Sequence, residues 1–583
     1  MCLRKGVCLK LAGLPGRWPR PSKDHEYRIL SGRPRVQPAR RAQGFYNAVL
    51  PGLWARPDTA RMTLFKAAFS VSALTLLSRI TGLVREQIGA ALFGTSAMMD
   101  AFQIAFRIPN LLRRLFAEGA FAQAFVPLLA ATRAADGDAS TRALVDAVAS
   151  VLAWALLATC ALGIVGAPVL VWLLASGFDP ATENAAVLMT RWMFPYIGCM
   201  SMVALASGVL NTWRRFAVPA FTPVLLNLSV IGAALLGVPL LKVRGIEPIY
   251  ALAIGVMVGG VLQLGLQLPA LLRIGMLPRI ALAPGRLLAA WRHPGVKRIL
   301  AKMAPALLGV SVAQISLMIN SQIASHLGTG AVSTLVYADR LMELPIALLG
   351  VALGVVLTPQ LAAAKAVHDQ ARYSGLLDWG LRLALLLALP CAVALLVFAQ
   401  PMVATLFHRG AFDGRAVAMT TLAVMGWGVG VLGLVAMKVV APAFFARQDM
   451  RTPMWVAVGA LLLTQLLNAG LILGLGMGVA ALALSIGLAA NANAGLLLWL
   501  LRRRGLYQPT AGWLGFAWRV LLASSVMGAG MAVAARRVDW LALGAHEWGR
   551  AGAMAAALGL AAAIYFGLLA LLGIRARSFM RKA

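Results

Sequence analysis

Acidic side chains are scarce in this chain: 20 Asp and Glu stand against 53 Lys and Arg, and all charged residues together fill only 13% of the 583 positions. So little charge cannot cover the surface of a soluble chain of this size, which excludes the ordinary water-soluble classes. Cysteine is equally sparse. Cys2 and Cys8 lie near the start, while Cys160, Cys199 and Cys391 sit inside apolar stretches, at no spacing that suits a metal or a disulfide framework. Buried packing is their expected role. The histidines His25, His293, His326, His368, His408 and His546 are scattered without ligand spacing. No Walker A loop, GxSxG elbow or HExxH helix occurs, so nothing signals ATPase or hydrolase chemistry, and neither an enzymatic reaction nor a resident metal or cofactor is expected.

What is abundant is apolar sequence. Hydrophobic residues make up 60% of the chain and its mean hydropathy is +0.81, the signature of an integral membrane protein. The formal net charge of +33 would point to nucleic acid in a soluble chain. Here much of the Lys and Arg falls in short connections between apolar runs, so topology is its first use and anionic lipid or substrate its second. Nucleic acid is not an expected partner; membrane lipids are.

Residues 1–61 differ from the rest. "GRWPRPSKDHEYR" and "SGRPRVQPARRAQG" have no helical period and little to bury. Two readings stand: a basic, disordered cytoplasmic extension, or a mis-annotated start with Met62 ("MTLFKAAFS") as the true first residue, which is the preferred one.

Windows of about 19 residues find about 14 apolar segments, approximately 66–92, 98–131, 143–175, 184–212, 219–241, 249–274, 298–327, 331–364, 373–400, 414–446, 453–475, 478–502, 515–537 and 549–573. The connections alternate. One set is basic ("NTWRRF", "KAVHDQAR", "ARQDMR", "LRRRG"), the other neutral or mixed ("GTSAMM", "SGFDPATEN", "LGTG", "HRGAFDG"), so both termini are expected in the cytoplasm by the positive-inside rule. A weak internal repeat recurs after about 234 residues: "ALFGTSAMMDAF" matches "SHLGTGAVSTLV", "FVPLLAA" matches "LTPQLAA", and Thr222 with Pro223 matches Thr452 with Pro453. The expected fold is all-α and polytopic, with about 14 transmembrane helices in two pseudo-symmetric six-helix bundles plus two C-terminal helices. The units run 62–275, 298–502 and 503–583, with a basic linker at 276–297. Within the linker, "LPRIALAPGRLLAAWRHPGVKRIL" reads as a helix on the cytoplasmic leaflet, or else as a docking segment for a regulatory partner.

Several charges interrupt these segments. "SRITGLVRE" places Arg79, Arg85 and Glu86 in the first; Asp100 opens the second, which continues with Arg107, Arg113, Arg114 and Glu118 around Pro109 and Gly119. The eighth carries Asp339, Arg340 and Glu343, and the tenth carries Lys438. Each centrally placed Arg costs about 2.5–3.5 kcal/mol on insertion, so these residues need partners or a wet cavity. One reading is structural pairing, with Arg114 to Glu118 and Arg340 to Glu343 spaced for it. The other is an anion site, because cations outnumber carboxylates and guanidinium suits phosphate. Arg79 and Glu86 lie about 20° apart on a helix and Arg85 about 120° away, and Gly82 between them would tolerate a kink or local unwinding that brings both guanidiniums to one cavity. At the repeat offset Arg79 meets Ala313 and Arg85 meets Ile319, which makes the expected chamber asymmetric and lined mainly by the N-terminal bundle.

The stretches "SRITGLVRE", "DAFQIAFRIPNLLRRLFAEGAFAQAFVPLLA", "GVLNTWRRFAVPAFTPVLLN", "VYADRLMELPIALLGVALGVVLTPQLA" and "APAFFARQDMRTP", in this order, closely resemble the MurJ (MviN) family, bacterial lipid II flippases of the multidrug/oligosaccharidyl-lipid/polysaccharide exporter superfamily. The resemblance implies an inner-membrane transporter that moves lipid II, the undecaprenyl-diphosphate-linked peptidoglycan precursor, to the periplasmic leaflet by alternating access. It implies substrate-binding roles for Arg79, Arg85, Arg113 and Arg340, and cavity or gate roles for Glu86, Asp100, Glu118, Asp339, Glu343 and Lys438. It also implies a groove for the lipid tail in the last two spans. Glu86 departs from the Asp common in the family. Proteins of cell-wall synthesis are further expected partners. Coupling to membrane potential or to a monovalent ion stays open, with Asn320, Asn468 and Asn491 readable as an ion site or as interhelical glue. Another polyprenyl-diphosphate-linked oligosaccharide is the alternative substrate; an exporter of cationic drugs would want the opposite charge, and a scaffold without transport would not need the arginines.

Overall fold

Apolar runs that meet lipid have no water to satisfy their backbone groups, so they close their hydrogen bonds internally, and helix is the form this chain takes. The computed structural model describes residues 64–112 and 121–574. The extension 1–61, Arg113, Arg114, Glu118 and the tail beyond residue 574 lie outside the described residues. In chain order the first half contains α1 (Leu64–Phe93), α2 (Ala97–Leu112), α3 (Ala122–Val165), α4 (Ala167–Ala175), α5 (Pro180–Met193), α6 (Tyr196–Thr212), α7 (Ala217–Gly232), α8 (Val238–Val243) and α9 (Tyr250–Arg273). The short α10 (Pro284–Arg292) lies in the linker. The second half contains α11 (Pro294–Ser325), α12 (Ala331–Pro345), α13 (Val351–Ala366), α14 (Gln370–Val397), α15 (Ala399–Phe407), α16 (Gly414–Ala446), α17 (Arg451–Ala469) and α18 (Val479–Arg503), followed by α19 (Trp513–Arg537) and α20 (Glu547–Leu571).

Among the described residues, 10 helical stretches are long and apolar enough to cross a membrane. They coincide with the third to sixth and ninth to fourteenth expected segments. The first, second, seventh and eighth segments coincide with α1, α2, α11 and the α12 to α13 pair. The second and third segments share α3, which breaks at Gly137, where φ is 78° and ψ is −174°. Side chains avoid that conformation, and glycine tolerates it.

The backbone itself carries the repeat. Left-handed turns occur in matching order in the two halves: Gly94 with Gly328, Gly137 with His368, Arg214 with Gln448, and Gly275 with Gly505. Two of these pairs use residues with side chains, for which positive φ is uncommon, so the turn geometry is kept where the residue type is not. π-helical turns over Ala233–Gly237 and Gly470–Gly474 extend the match to the fifth and eleventh segments.

Small residues set the closest helix approach. Between α16 and α18 a Cβ on Gly430 would lie 2.4 Å from the Cα of Gly487, so the backbones touch as lipid-embedded helices do through small residues. The Asn491 amide crosses the same interface and donates to the Val429 carbonyl at 2.8 Å. In the first half α7 packs against α1 and α9. The last pair, α19 and α20, packs on itself and, through α19, on α14. Asp378 of α14 anchors its approach, accepting from Tyr507 Oη (3.0 Å), Thr510 Oγ1 (2.6 Å) and Trp513 Nε1 (2.6 Å) while pairing with Arg382 at 2.9 Å.

The linker is strapped to α3: Asp146 accepts from the Arg279 backbone N–H at 2.8 Å, Ser150 accepts from that of Ala281 at 2.8 Å, and Trp154 Nε1 donates to the Ala281 carbonyl at 2.9 Å. α10 buries Ala290 and exposes Leu288 and Trp291 between Arg286 and Arg292. Such a surface suits a membrane interface.

Candidate functional site

The two halves meet tightly at one end. At the tight end, Asp100 at the start of α2 reaches the N-terminus of α12, accepting from the backbone N–H of Gly330 at 2.6 Å and of Ser333 at 2.7 Å. A carboxylate at a helix N-terminus is a strong cap, because it meets orphan donors and the positive end of the dipole. Here the cap comes from the other half. The same end is joined by Ala411 N–H to the Ala91 carbonyl (2.8 Å), by Tyr337 Oη to the Gly94 carbonyl (3.3 Å) and by Gly177 N–H to Ser325 Oγ (3.1 Å).

Away from that end lies a cavity of about 620 Å³. Its wall comes almost wholly from the first half, chiefly α1, α6 and α7, and the second half contributes Arg340 and Glu343 of α12. A chain of charge crosses it. Arg79 Nη1 lies 2.9 Å from Glu343 Oε1; Glu343 Oε2 lies 3.0 Å from Arg340 Nη1; Arg340 Nε lies 3.4 Å from Glu86 Oε1; and Glu86 Oε1 lies 2.5 Å from Arg85 Nη2. Arg85 Nη1 then donates to Asn227 Oδ1 at 3.2 Å. Asn227 is held in turn by donating to the Ser78 carbonyl (3.0 Å) and Thr81 Oγ1 (3.1 Å). The Arg85 guanidinium also stands 6.0 Å from the centre of the Phe106 ring.

Exposure grades along this chain. The side chains of Arg79 and Glu343 are 49% and 36% accessible, those of Arg85 and Glu86 only 16% and 8%. Arg79 is therefore solvated, while Arg85 and Glu86 sit where Coulomb forces are less screened. Three guanidiniums share two carboxylates, and a double-negative group brought among them finds donors already oriented.

Five residues singled out in the sequence thus meet: Arg79, Arg85, Glu86, Arg340 and Glu343. α1 runs unbroken from Leu64 to Phe93, without the kink that Gly82 would tolerate; the glycine faces Asn227, whose side chain a Cβ would meet at 3.5 Å. Arg85 reaches the cavity by side-chain length instead. Each guanidinium has a carboxylate within 3.4 Å, including the pairing of Arg340 with Glu343 that the sequence spacing allows.

The remaining candidates lie elsewhere. Asp100 caps α12, Asp339 is partly buried beside Arg340 without lining the cavity, and Lys438 of α16 is exposed and away from it. Arg107 donates to Ser321 Oγ of α11, a further polar tie between the halves. Asn320 and Asn468 bond to each other at 2.9 Å. Sequence reasoning missed Asn227 and Gln263, whose only signal was an amide in an apolar segment, single for Asn227 and one turn from Gln267 for Gln263. Among the described residues no group of three or more His, Cys, Asp or Glu is placed to hold a metal.

The family model described as Lipid II flippase MurJ matches residues 89–547. The chain belongs to the MurJ family. It is 52% identical over 534 residues to the lipid II flippase MurJ of Burkholderia cenocepacia, a match that spans 90% of this chain and 100% of that protein. To the probable lipid II flippase MurJ of Vibrio cholerae it is 36% identical, over 89% of this chain and 98% of the other. In fold it resembles a solved lipid II flippase MurJ in an inward closed conformation (TM-score 0.70, 21% identity, 86% of this chain and 98% of that one). It also resembles an inward-facing MATE family multidrug transporter of the MOP superfamily (TM-score 0.57, 16% identity, 75% and 98%). MurJ proteins are transporters, and this chain is a transporter and not an enzyme.

Proposed function

We propose that this protein flips lipid II from the cytoplasmic to the periplasmic leaflet of the bacterial inner membrane by alternating access, with the diphosphate held by Arg79, Arg85 and Arg340. The observation that carries this reading is the charge chain: guanidiniums from both halves converge on one cavity, each within ion-pair distance of a carboxylate. The pair of Arg79 with Glu343 is solvent-accessible and so worth little, and exchanging Glu343 there for a diphosphate oxygen costs little. Because Arg79 pairs with Glu343 across the halves, that swap also removes a tie between them.

With both termini cytoplasmic, the cavity faces the cytoplasm and the end locked by Asp100 faces the periplasm, a state ready to receive the head group. Rocking of units 62–275 and 298–502 would open the locked end, while the polyprenyl tail stays in lipid along the appended pair in 503–583, where Trp518, Leu560 and Leu571 are exposed. Reset draws on membrane potential or a monovalent ion; a charge crossing the field is worth about 2.3 kcal/mol per 100 mV.

The test is lipid II exposure on the outer face of cells depleted of their own flippase and supplied with this protein or its Arg85→Ala variant. Restoration by the parent and not by an equally abundant Arg85→Ala supports the reading. No restoration by the parent moves the substrate to another polyprenyl-diphosphate-linked sugar, since the arginines address the diphosphate.

A further inference from the structure

Among the residues that line the cavity, Gln263 carries a buried side-chain acceptor, Oε1, that no donor meets. Gln263, on α9, is 1% exposed. Its amide orientation is determined by its neighbour. Nε2 donates at 3.0 Å to the Thr222 carbonyl, which has no hydrogen to offer in return, so Oε1 must be the atom left over. Gln267, one turn along α9, stiffens the same wall by donating to Ser207 Oγ (2.9 Å) and Thr222 Oγ1 (3.1 Å). Gln263 is thus a fixed acceptor in a cavity whose ionic groups hold out donors. Leaving such an acceptor unmade costs about 1–3 kcal/mol, so the position is expensive unless something else supplies a hydrogen.

We infer that Gln263 Oε1 reads a hydroxyl or amide N–H of the uncharged, sugar-bearing part of the head group, and so sets specificity beyond the diphosphate; this rests on the reading of the cavity given above. Diphosphate oxygens, being acceptors, cannot satisfy it. Thr222 lies five residues before Asn227 on α7, about 7.5 Å along the helix axis from the level of Arg85. A sugar linked to a diphosphate at the arginines would extend alongside this wall.

The experiment compares the full chain with Gln263→Met, which keeps length and removes the acceptor, in lipid nanodiscs. Binding of lipid II and of undecaprenyl diphosphate, which lacks sugar and peptide, is measured for both. The expected result is a loss of about threefold to tenfold in lipid II affinity with undecaprenyl diphosphate binding unchanged, the latter also showing that the variant is folded. Equal loss for both ligands, or loss for neither, overturns the inference. A parent protein that binds neither ligand overturns the diphosphate reading beneath it.

Discussion

α1 and α11 hold the same place in the two halves of the fold, yet they solve the same packing problem with different chemistry. Each is joined through a buried amide to the fifth segment of its own half: α1 through Asn227 of α7, α11 through Asn320 to Asn468 of α17. In the second half that bond is neutral and α11 carries no charge after Lys302. In the first half Arg85, paired with Glu86, bonds the amide, and Arg79 on the same helix reaches Glu343 of the other half. The neutral half shows that packing of these two segments needs only the amide. The charges of α1 are surplus to that task, which is the physical ground for giving them to a ligand.

The comparison breaks most sharply at Arg85. Arg85→Ala strips Glu86 of its nearest counter-ion and leaves a largely buried carboxylate with Arg340 at 3.4 Å. Transport is expected to vanish, with a stability loss of about 3 kcal/mol measurable by thermal unfolding in detergent. Next comes the interhalf cap. Asp100→Asn weakens two short charge-assisted bonds at the N-terminus of α12, worth about 1–2 kcal/mol. A cysteine at the tight end should become more accessible to a water-soluble thiol reagent, and a level unchanged from the parent would remove Asp100 from the gate. In the neutral half, Asn320→Ala should cost about 1–3 kcal/mol in unfolding while leaving lipid II exposure intact. Loss of exposure there would undo the division of labour between the halves.

The smallest effect is outside the membrane, at Asp449 in the turn before α17. Burial there favours the protonated form but is outweighed by hydrogen bonds from Thr452 and by the Arg504 guanidinium at 2.8 Å, which pull the carboxyl from 3.8 to about 2. A depressed carboxyl stabilises the fold above its unfolded pKa and ceases to do so as pH falls through the folded value. Asp449→Asn should therefore lower stability by no more than about 1 kcal/mol near neutrality, and the gap to the parent should close between about pH 4 and pH 2.

The apolar segments, their order and the charges within them were legible because lipid penalises each departure so heavily. The repeat was legible only in part, since turn geometry is conserved at Arg214 and Gln448 where residue identity is not. Whether Gly82 bends its helix was not legible, because bending depends on what packs against the glycine, here Asn227. Lys438 could not be placed because α16 is apolar around most of its circumference and shows no face. Asp100 announced a cost but not its partner, which lies more than two hundred residues away in the chain. Gln263 and Gln267 did not announce the cavity, because amides in an apolar segment do not say what they face.

The most direct test of the central claim is lipid II binding by the Arg85→Ala, Glu86→Gln double variant, which removes both charges of the buried pair and leaves no lone ion. The account predicts thermal stability near that of the parent with lipid II affinity reduced at least tenfold. Affinity equal to the parent's at equal stability would show that the pair serves packing after all, and would contradict the assignment of the α1 charges to a ligand.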